Sequence, residues 1–170
     1  MELITHLLTG ILVQLACFIF FIFPLNIILT IIFGFLSHFL IDTLAKITYH
    51  TPEPHKEDKF WVAWHIITPV LAIILAIWVI LIGKFWFFLL GTIAANAVDI
   101  WDWLILRPIQ NPEAKFWGEK LYIHPTIDWI RDHLFGWLPN WNYKKKGIIP
   151  EIITIVSLWV SIFLMIPLLS

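Results

Sequence analysis

The fold is decided by the stretch 3–47, which reads LITHLLTGILVQLACFIFFIFPLNIILTIIFGFLSHFLIDTLAKI. It contains two apolar runs, 3–23 and 25–47, which are separated only by Pro24. Each run has the roughly 20 apolar residues that an α-helix needs to cross the hydrocarbon core of a bilayer. Because proline does not continue a helix, the stretch predicts two membrane-spanning helices joined by a tight turn, a hairpin that we place at 1–47.

The same arrangement recurs further along the chain. Two more apolar runs, 61–82 and 85–106, are separated by Gly83 and Lys84. Each is again long enough to cross a bilayer. The two runs therefore predict a second hairpin over 61–106.

A fifth apolar run covers 151–169, and the polar segments 48–60 and 107–150 connect the predicted spans. Of the 170 residues, 60% are hydrophobic and only 14% are charged. A water-soluble domain of this size needs more polar surface, so a soluble globule, a disordered chain and a disulfide scaffold are excluded. The sequence predicts an all-α polytopic membrane protein with about five transmembrane helices in one domain, 1–170.

The orientation in the membrane is predicted from lysine and arginine, which are enriched in cytoplasmic loops. Ten of the 11 Lys and Arg residues fall on the side that holds the N-terminus and the two polar segments, and only Lys84 falls on the other side. We therefore place the protein in the cell membrane with a cytoplasmic N-terminus and an external C-terminus. The net charge of −1 gives no electrostatic basis for binding nucleic acid.

The polar segment 107–150 contains the sequence HPTIDWIRDHL at 124–134. Proline is favoured at the first position of a helix, so Pro125 predicts that a helix begins here. Ile127 belongs to an apolar stripe of this helix, whereas Asp128 faces away from the stripe. We expect the helix to lie in the cytoplasmic membrane interface, where the segment could fold over the end of the bundle.

Ionisable and amide side chains occur inside the predicted spans, where their burial is costly and usually serves a function. In the predicted topology they all fall in the cytoplasmic half of the membrane, within about 5–15 Å of the helix ends at a rise of 1.5 Å per residue. We therefore expect one polar cluster that opens to the cytoplasm. The residues concerned are His6, His38, Asp42, Lys46, His65, Asn96, Asp99 and Asp102.

The two predicted hairpins share a pattern of residues. His6 begins a sequence of the form H-φ-φ-T, in which φ is apolar, and the same form recurs at His65. A glycine lies eight residues before Asp42 and again eight residues before Asp99. Because both hairpins begin and end on the same side, the pattern predicts a parallel repeat, with chance similarity of two membrane hairpins as the alternative.

Histidine and aspartate on neighbouring turns of a helix can chelate one ion of the Zn²⁺ class, whose open positions hold water. The spacing His38-x-x-x-Asp42 has this form, and His124-x-x-x-Asp128 repeats it. The alternative is that each group only makes hydrogen bonds across the helix bundle. We predict a site for one or two divalent metal ions, with zinc as the first choice. The predicted ligands are His6, His38, Asp42, His65, Asp99 and His124.

Two short sequences resemble motifs of the small bacterial and archaeal membrane-bound metal-dependent hydrolases, a family linked by its motifs to zinc-dependent phospholipase C-like enzymes. THLLTG at 5–10 is similar to T-H-x-x-x-G, and GFLSHFLID at 34–42 is similar to G-x-x-x-H-x-x-x-D. DIWD at 99–102 is similar to the acidic motif of the family, although it follows the second motif instead of preceding it. The resemblance implies a hydrolase of phosphoesters or lipids. It also implies metal ligation by His6, His38 and Asp42.

The predicted function is metal-dependent hydrolysis at the cytoplasmic leaflet. In this hypothesis Asp102 or Asp128 accepts the proton of the attacking water. Lys46 or Arg107 neutralises a phosphate group of the substrate. Membrane lipids are the expected partners, because a site at headgroup depth favours a lipid phosphoester as substrate.

Two other functions would use the same side chains. An ion- or proton-conducting protein needs polar residues that continue across the membrane and, with five spans, needs to form a homo-oligomer. The outer half of the spans offers little beyond Gln14, Asn26 and Thr30, which counts against conduction. A non-enzymatic assembly protein would use histidine and aspartate only for helix packing, and it predicts a dry cluster without metal.

Overall fold

The structure, a computed structural model, describes residues 3–49, 57–81, 85–110 and 122–169. Within these ranges it contains helices and no strands. The α-helices are α1 (Leu3–Phe20), α2 (Leu25–Leu44), α3 (Lys59–Leu81), α4 (Phe85–Ala95), α5 (Ala97–Asp99), α6 (Arg107–Gln110), α7 (His124–Leu134) and α8 (Ile148–Met165). A π-helix, Ile100–Leu106, joins α5 to α6. Short 3-10 helices are Ala45–Ile47, Lys145–Gly147 and Ile166–Leu169.

The helices are those of a polytopic membrane protein. The segments that are long and apolar enough to cross a membrane are Leu3–Phe20, Leu25–Ile47, Lys59–Val79 and Lys145–Leu169. A fifth span is complete if Phe88–Ala95 and Ala97–Ile109, which meet at 57°, are taken as one bent segment. The predicted all-α architecture with about five spans is confirmed.

The central helix of the bundle is α1, which contacts α2, α3, α4 and α8. Its Leu8 and Leu15 are fully buried, and Leu75 of α3, Phe88 of α4 and Ile162 of α8 belong to the same core. Large apolar side chains remain exposed on α2, α3 and α8. This distribution is expected where the outer faces of the helices contact lipid tails.

Glycines allow α1, α2 and α4 to approach closely. A Cβ atom on Gly10 would lie 2.5 Å from the carbonyl oxygen of Gly91, and one on Gly34 would lie 2.7 Å from the Cβ of Ala94. The side-chain oxygen of Gln14 also accepts the backbone N–H of Gly91 at 2.7 Å. Small residues at helix contacts are a common device in membranes, where close packing and hydrogen bonds replace the hydrophobic effect between helices.

The fourth predicted span is not one straight helix. Asn96 lies between α4 and α5 with φ −105° and ψ 7°, and the two flanking segments meet at 57°. Its side-chain amide donates a hydrogen bond to the carbonyl oxygen of Thr92 at 2.8 Å. Asparagine side chains can form local hydrogen bonds with the backbone that compete with those of a regular helix. The apolar residues on both sides of Asn96 are compatible with a continuous helix, so they do not predict the break. The π-helix that follows changes the angular spacing of Asp99 and Asp102 again.

The helix predicted in the polar segment is present as α7. Pro125 lies in its first turn, and Ile127 is buried with 1% of its surface exposed. The start of α7 therefore comes to lie beside α2, which it contacts. Residues 111–121, which precede α7, lie outside the described residues.

Candidate metal centre

Most of the predicted ligands meet at one end of the bundle. His6 lies near the start of α1, and His38 and Asp42 lie toward the end of α2. Asp99 ends α5, and His124 begins α7. Because α1 and α2 form a hairpin, the start of one and the end of the other share one depth. We call these five residues the histidine–aspartate cluster.

The cluster consists of two overlapping groups that could hold a metal ion. One group is His6, His38 and Asp42, and the other is His38, Asp99 and His124. Within each group the ligand atoms lie within 4.8 Å of one another. His38 belongs to both groups, so the cluster is continuous.

Asp42 connects the histidines of the first group. Its Oδ1 lies 3.0 Å from Nε2 of His6, and its Oδ2 lies 3.1 Å from Nε2 of His38. The two imidazole rings are stacked, with centroids 4.3 Å apart. Since the side chains of His6 and His38 are 2% and 0% exposed, bulk water does not solvate their ring nitrogens.

His124 connects the two groups from the outside of the bundle. Its Nε2 lies 3.4 Å from Oδ2 of Asp42 and 3.3 Å from Oδ1 of Asp99. The same oxygen of Asp99 lies 4.0 Å from Nε2 of His38. All three histidines thus present Nε2 to the carboxylates of the cluster.

The hydrogen bonding of His38 determines which nitrogen faces the cluster. Its Nδ1 lies 2.8 Å from the carbonyl oxygen of Ala95, which can only accept, so Nδ1 carries a proton. In the neutral ring Nε2 then has a lone pair, and this buried atom has no hydrogen-bond partner among the described residues. It faces a carboxylate oxygen of Asp42, so two acceptors point at each other. A positive charge, either a bound cation or a second proton on His38, resolves this conflict.

Asp102 orients His124. Its Oδ2 lies 2.7 Å from Nδ1 of His124 and accepts the backbone N–H of the same residue at 2.9 Å. The backbone N–H of Ile123 donates to both carboxylate oxygens, at 3.0 and 2.9 Å. The carboxylate therefore satisfies open N–H groups at the start of α7 and directs Nε2 of His124 into the cluster. Ligand histidines in metalloproteins commonly have such a carboxylate partner.

The surroundings of His124 are strongly negative. Burial lowers the pKa of His124, but hydrogen bonds with Asp42, Asp99 and Asp102 outweigh burial and raise its pKa to about 10. The carboxylates that hold a proton on His124 would also attract a divalent cation. Binding of that cation would release the proton, as metal binding to histidine generally does.

His65, the sixth predicted ligand, belongs to neither group of the cluster. Its Nδ1 lies 2.8 Å from the carbonyl oxygen of Trp61, and its ring is stacked on that of Trp61 at 4.1 Å. His65 is the counterpart of His6 in the predicted repeat. The repeat stays a prediction, and the cluster does not contain both of its histidines.

The remaining predicted catalytic residues lie outside the cluster or beside it. Asp128 pairs with Arg131 at 2.7 Å and is 47% exposed. The ammonium group of Lys46 donates a hydrogen bond of 3.3 Å to the backbone carbonyl of Gly136, just after α7. The guanidinium of Arg107 lies 5.0 Å from the ring centroid of Trp103. The ring of Trp103 in turn contacts His124, so Arg107 is the predicted cation that lies next to the cluster.

Sequence reasoning missed a buried carboxylate beside the cluster. Glu151, in the first turn of α8, is fully buried, and its Oε1 accepts a hydrogen bond from the hydroxyl of Thr5 at 2.8 Å. This bond ties α8 to α1 at the residue before His6. Glu151 is the first residue of the apolar run 151–169. A carboxylate at the end of a span can be buried or exposed, and the sequence alone does not distinguish the two.

The fold and the cluster together define a class of protein, a polytopic α-helical membrane protein with buried histidine and aspartate groups that could hold a metal ion. Comparisons with protein-family models, curated proteins and solved structures find no match. The chemistry of the cluster must therefore be inferred from its own residues.

Proposed function

We propose that the protein is a metal-dependent hydrolase of a lipid phosphoester and that it acts at the cytoplasmic leaflet. The observation that carries the proposal is the arrangement of His38, whose Nδ1 is committed to the Ala95 carbonyl while Nε2 faces Asp42 across 3.1 Å. Buried acceptors that converge in this way suit a cation better than a simple helix contact. The resemblance of 5–10 and 34–42 to hydrolase motifs supports the same function.

We infer that the ion is held by the Nε2 atoms of the three histidines and by Asp42, whose oxygens lie 3.0, 3.1 and 3.4 Å from those of His6, His38 and His124. Asp99 is not part of this ligand set, and a further position on the ion would remain for water. Imidazole and carboxylate ligands favour zinc over magnesium or calcium. Nε2 of His38 has one lone pair, so the two overlapping groups cannot both be complete sites. A single ion is therefore the simpler arrangement, and a second ion would need Asp42 as a bridge.

A divalent ion in this position would act as a Lewis acid toward a phosphoester oxygen and would activate water as a nucleophile. Asp99 is 31% exposed, more than the 13% of Asp42, so it is the cluster carboxylate best placed to accept the proton of water. Asp102 holds His124 in position, since its oxygens already accept hydrogen bonds. Arg107, beside Trp103, would neutralise the phosphate of the substrate.

Conduction of ions is less well supported. Beyond the cluster, the buried oxygen of Gln14 accepts the N–H of Gly91, and the hydroxyl of Thr30 donates to the carbonyl of Asn26 at 2.7 Å. These polar groups are used in local hydrogen bonds, which supports a role in helix packing over a role in a conduction path. Flux of protons or divalent ions into liposomes that contain the purified protein would favour conduction over hydrolysis.

The test combines metal analysis with hydrolysis of phospholipid in mixed micelles. We expect the purified protein to hold roughly one zinc ion per chain, and His38→Ala to lose both the metal and the hydrolysis. His133→Ala is the matched control, since His133 is exposed on α7 and its Nδ1 contacts the Trp129 carbonyl. Hydrolysis at the wild-type rate in protein freed of metal by a chelator would contradict the proposal, as would a protein that binds no divalent ion.

A further inference from the structure

An apolar groove runs from the cluster to the outer surface of the bundle. It has a volume of about 400 Å³ and lies between α1, α4 and the π-helix. Its walls include Leu3 and Leu7 of α1, Ile93 of α4, and Leu104 of the π-helix. A volume of this size is within the range of sites that bind small ligands.

The groove borders the histidine–aspartate cluster. Its surface is almost entirely apolar, but Asn96 and Asp99 are among the residues that line it, and Asp99 is also a member of the cluster. A ligand in the groove would therefore have its polar end at the inferred ion. The rest of its length would contact aliphatic and aromatic side chains.

The groove opens sideways, toward the surface that faces lipid. Ile93 is 49% exposed and Leu104 is 71% exposed, and both lie on the bent segment formed by Phe88–Ala95 and Ala97–Ile109. A molecule could enter from the bilayer without leaving the apolar phase. This route suits a lipid and offers little to a water-soluble phosphoester.

A cation contacts one of the residues that line the groove. Trp103 lines the groove, and the guanidinium of Arg107 lies 5.0 Å from its ring centroid. On another side the same ring contacts His124, with ring centroids 5.9 Å apart. Trp103 thus contacts both Arg107 and His124 of the cluster, so one side chain separates this arginine from the inferred ion's site.

We propose that this groove binds one acyl chain of a phospholipid substrate and thereby places its phosphoester at the cluster. The inference rests on the proposed function for the chemistry, but the occupancy of the groove can be measured without any hydrolysis. An apolar groove that is open toward the lipid-facing surface and borders the cluster suits an amphiphile whose acyl chain fills the groove and whose phosphoester lies at the inferred ion.

The experiment uses a phosphatidylcholine that carries a photoreactive diazirine in one acyl chain, at a low molar ratio to full-length protein in detergent. Peptide mass spectrometry then locates the crosslinks. We expect them to concentrate on groove residues such as Leu7, Ile93 and Leu104. An even distribution over the exposed faces of α3 and α8 would overturn the proposal, because it indicates only a nonspecific lipid annulus.

Ile93→Trp tests the groove directly, because the larger side chain would fill it. We expect crosslinks at Leu7 and Leu104 to be lost, because the indole would occupy the volume that the acyl chain needs, whereas crosslinks on the exposed faces of the other helices should stay unchanged. Ile73→Trp is the matched control, since Ile73 is 59% exposed on α3 and lies outside the groove. An unchanged circular dichroism spectrum and an unchanged Tm would show that both variants are folded. Equal crosslinking in Ile93→Trp and the wild type would overturn the proposal.

The outcomes separate this inference from the proposed function. Crosslinks in the groove without hydrolysis of any phospholipid would support the groove and contradict the hydrolase. A second measurement is the KM for monomeric short-chain phospholipids of increasing acyl length. Hydrolysis with a KM that does not fall with chain length would support the hydrolase and contradict the groove. If both are correct, KM should fall about tenfold for each two methylene groups added, and Ile93→Trp should abolish that dependence.

Discussion

His38 has two distinct contacts, and together they explain why a histidine is needed at this position. Nδ1 donates to the Ala95 carbonyl across the contact between α2 and the end of α4, and Nε2 faces the carboxylates. The side chain therefore connects helix packing with the chemistry of the cluster. Glutamine in its place could donate a hydrogen bond but would lack the second nitrogen, so packing and metal affinity can be separated by mutation.

Asp102 is predicted to act through His124 and not as a ligand. Asp102→Asn should lower zinc affinity about 10- to 100-fold, because an amide holds the imidazole of His124 and the N–H groups of α7 less well than a carboxylate does. Affinity is measured by competition with a chromophoric chelator, and the order of α7 by hydrogen exchange. Asp128→Asn makes the same chemical change on the exposed face of α7 and should leave both unchanged. If Asp102→Asn binds zinc normally, Asp102 has no role in orienting His124.

At the scale of the helices, the crossing of α1 and α4 sets the geometry of the site. The two backbones meet at Gly10 and Gly91, and this contact leaves no room for a side chain. A displacement of α4 would move Ala95, which holds His38, and Asp99, which follows the break. Packing between α1 and α4 thus determines distances within the cluster.

Gly91→Ala should destabilise the protein, although alanine is the better helix former. We expect a loss of about 1–3 kcal/mol, the usual cost of forcing a group into a packed contact. The free energy of unfolding is measured by denaturation in detergent, with zinc content as a second measurement. Ser157→Ala, at an exposed position of α8, is the control and should have little effect. A Gly91→Ala protein as stable as the wild type would mean that the backbones do not meet at this crossing.

The spacing of residues along single helices was enough to predict much of the cluster. His6, His38 and Asp42 follow from two regular helices in a hairpin, and the structure brings them together. The predicted span 85–106 places Asn96, Asp99 and Asp102 on one unbroken helix. Because of the break at Asn96 and the π-helix beyond it, Asn96 bonds within its own helix, Asp99 joins the cluster and Asp102 binds Nδ1 of His124. These different contacts depend on the tertiary structure and cannot be predicted from spacing alone.

At the scale of the whole molecule, the cluster joins parts of the chain that are far apart. It connects α1, α2, α5 and α7, and the bond from Thr5 to Glu151 adds α8 beside it. A metal ion at this point would hold most of the bundle together. Ligands that bind only the folded state raise its stability by mass action.

Removal of the metal is predicted to destabilise the entire fold. At a free zinc concentration about 100 times Kd, the bound ion should contribute about 2.7 kcal/mol. Thermal unfolding followed by circular dichroism should show a lower Tm after chelation and recovery when zinc is restored. The increase in Tm that zinc produces should become smaller as the pH falls, because protons compete with zinc for the histidine and carboxylate ligands. A Tm that is indifferent to chelation in wild-type protein would contradict this, and His38→Ala should show that indifference.

The order in which the ligands occur along the chain has a consequence for biosynthesis. The ribosome makes His6 long before His124, and Glu151 emerges later still. While α1 and α2 enter the bilayer, the chain already contains His6, His38 and Asp42. His124 and α8, whose Glu151 accepts the hydrogen bond from Thr5, have not yet been synthesised. Incorporation of a cofactor should therefore be completed only after translation has passed α8, and a nascent chain arrested before residue 124 should retain zinc poorly.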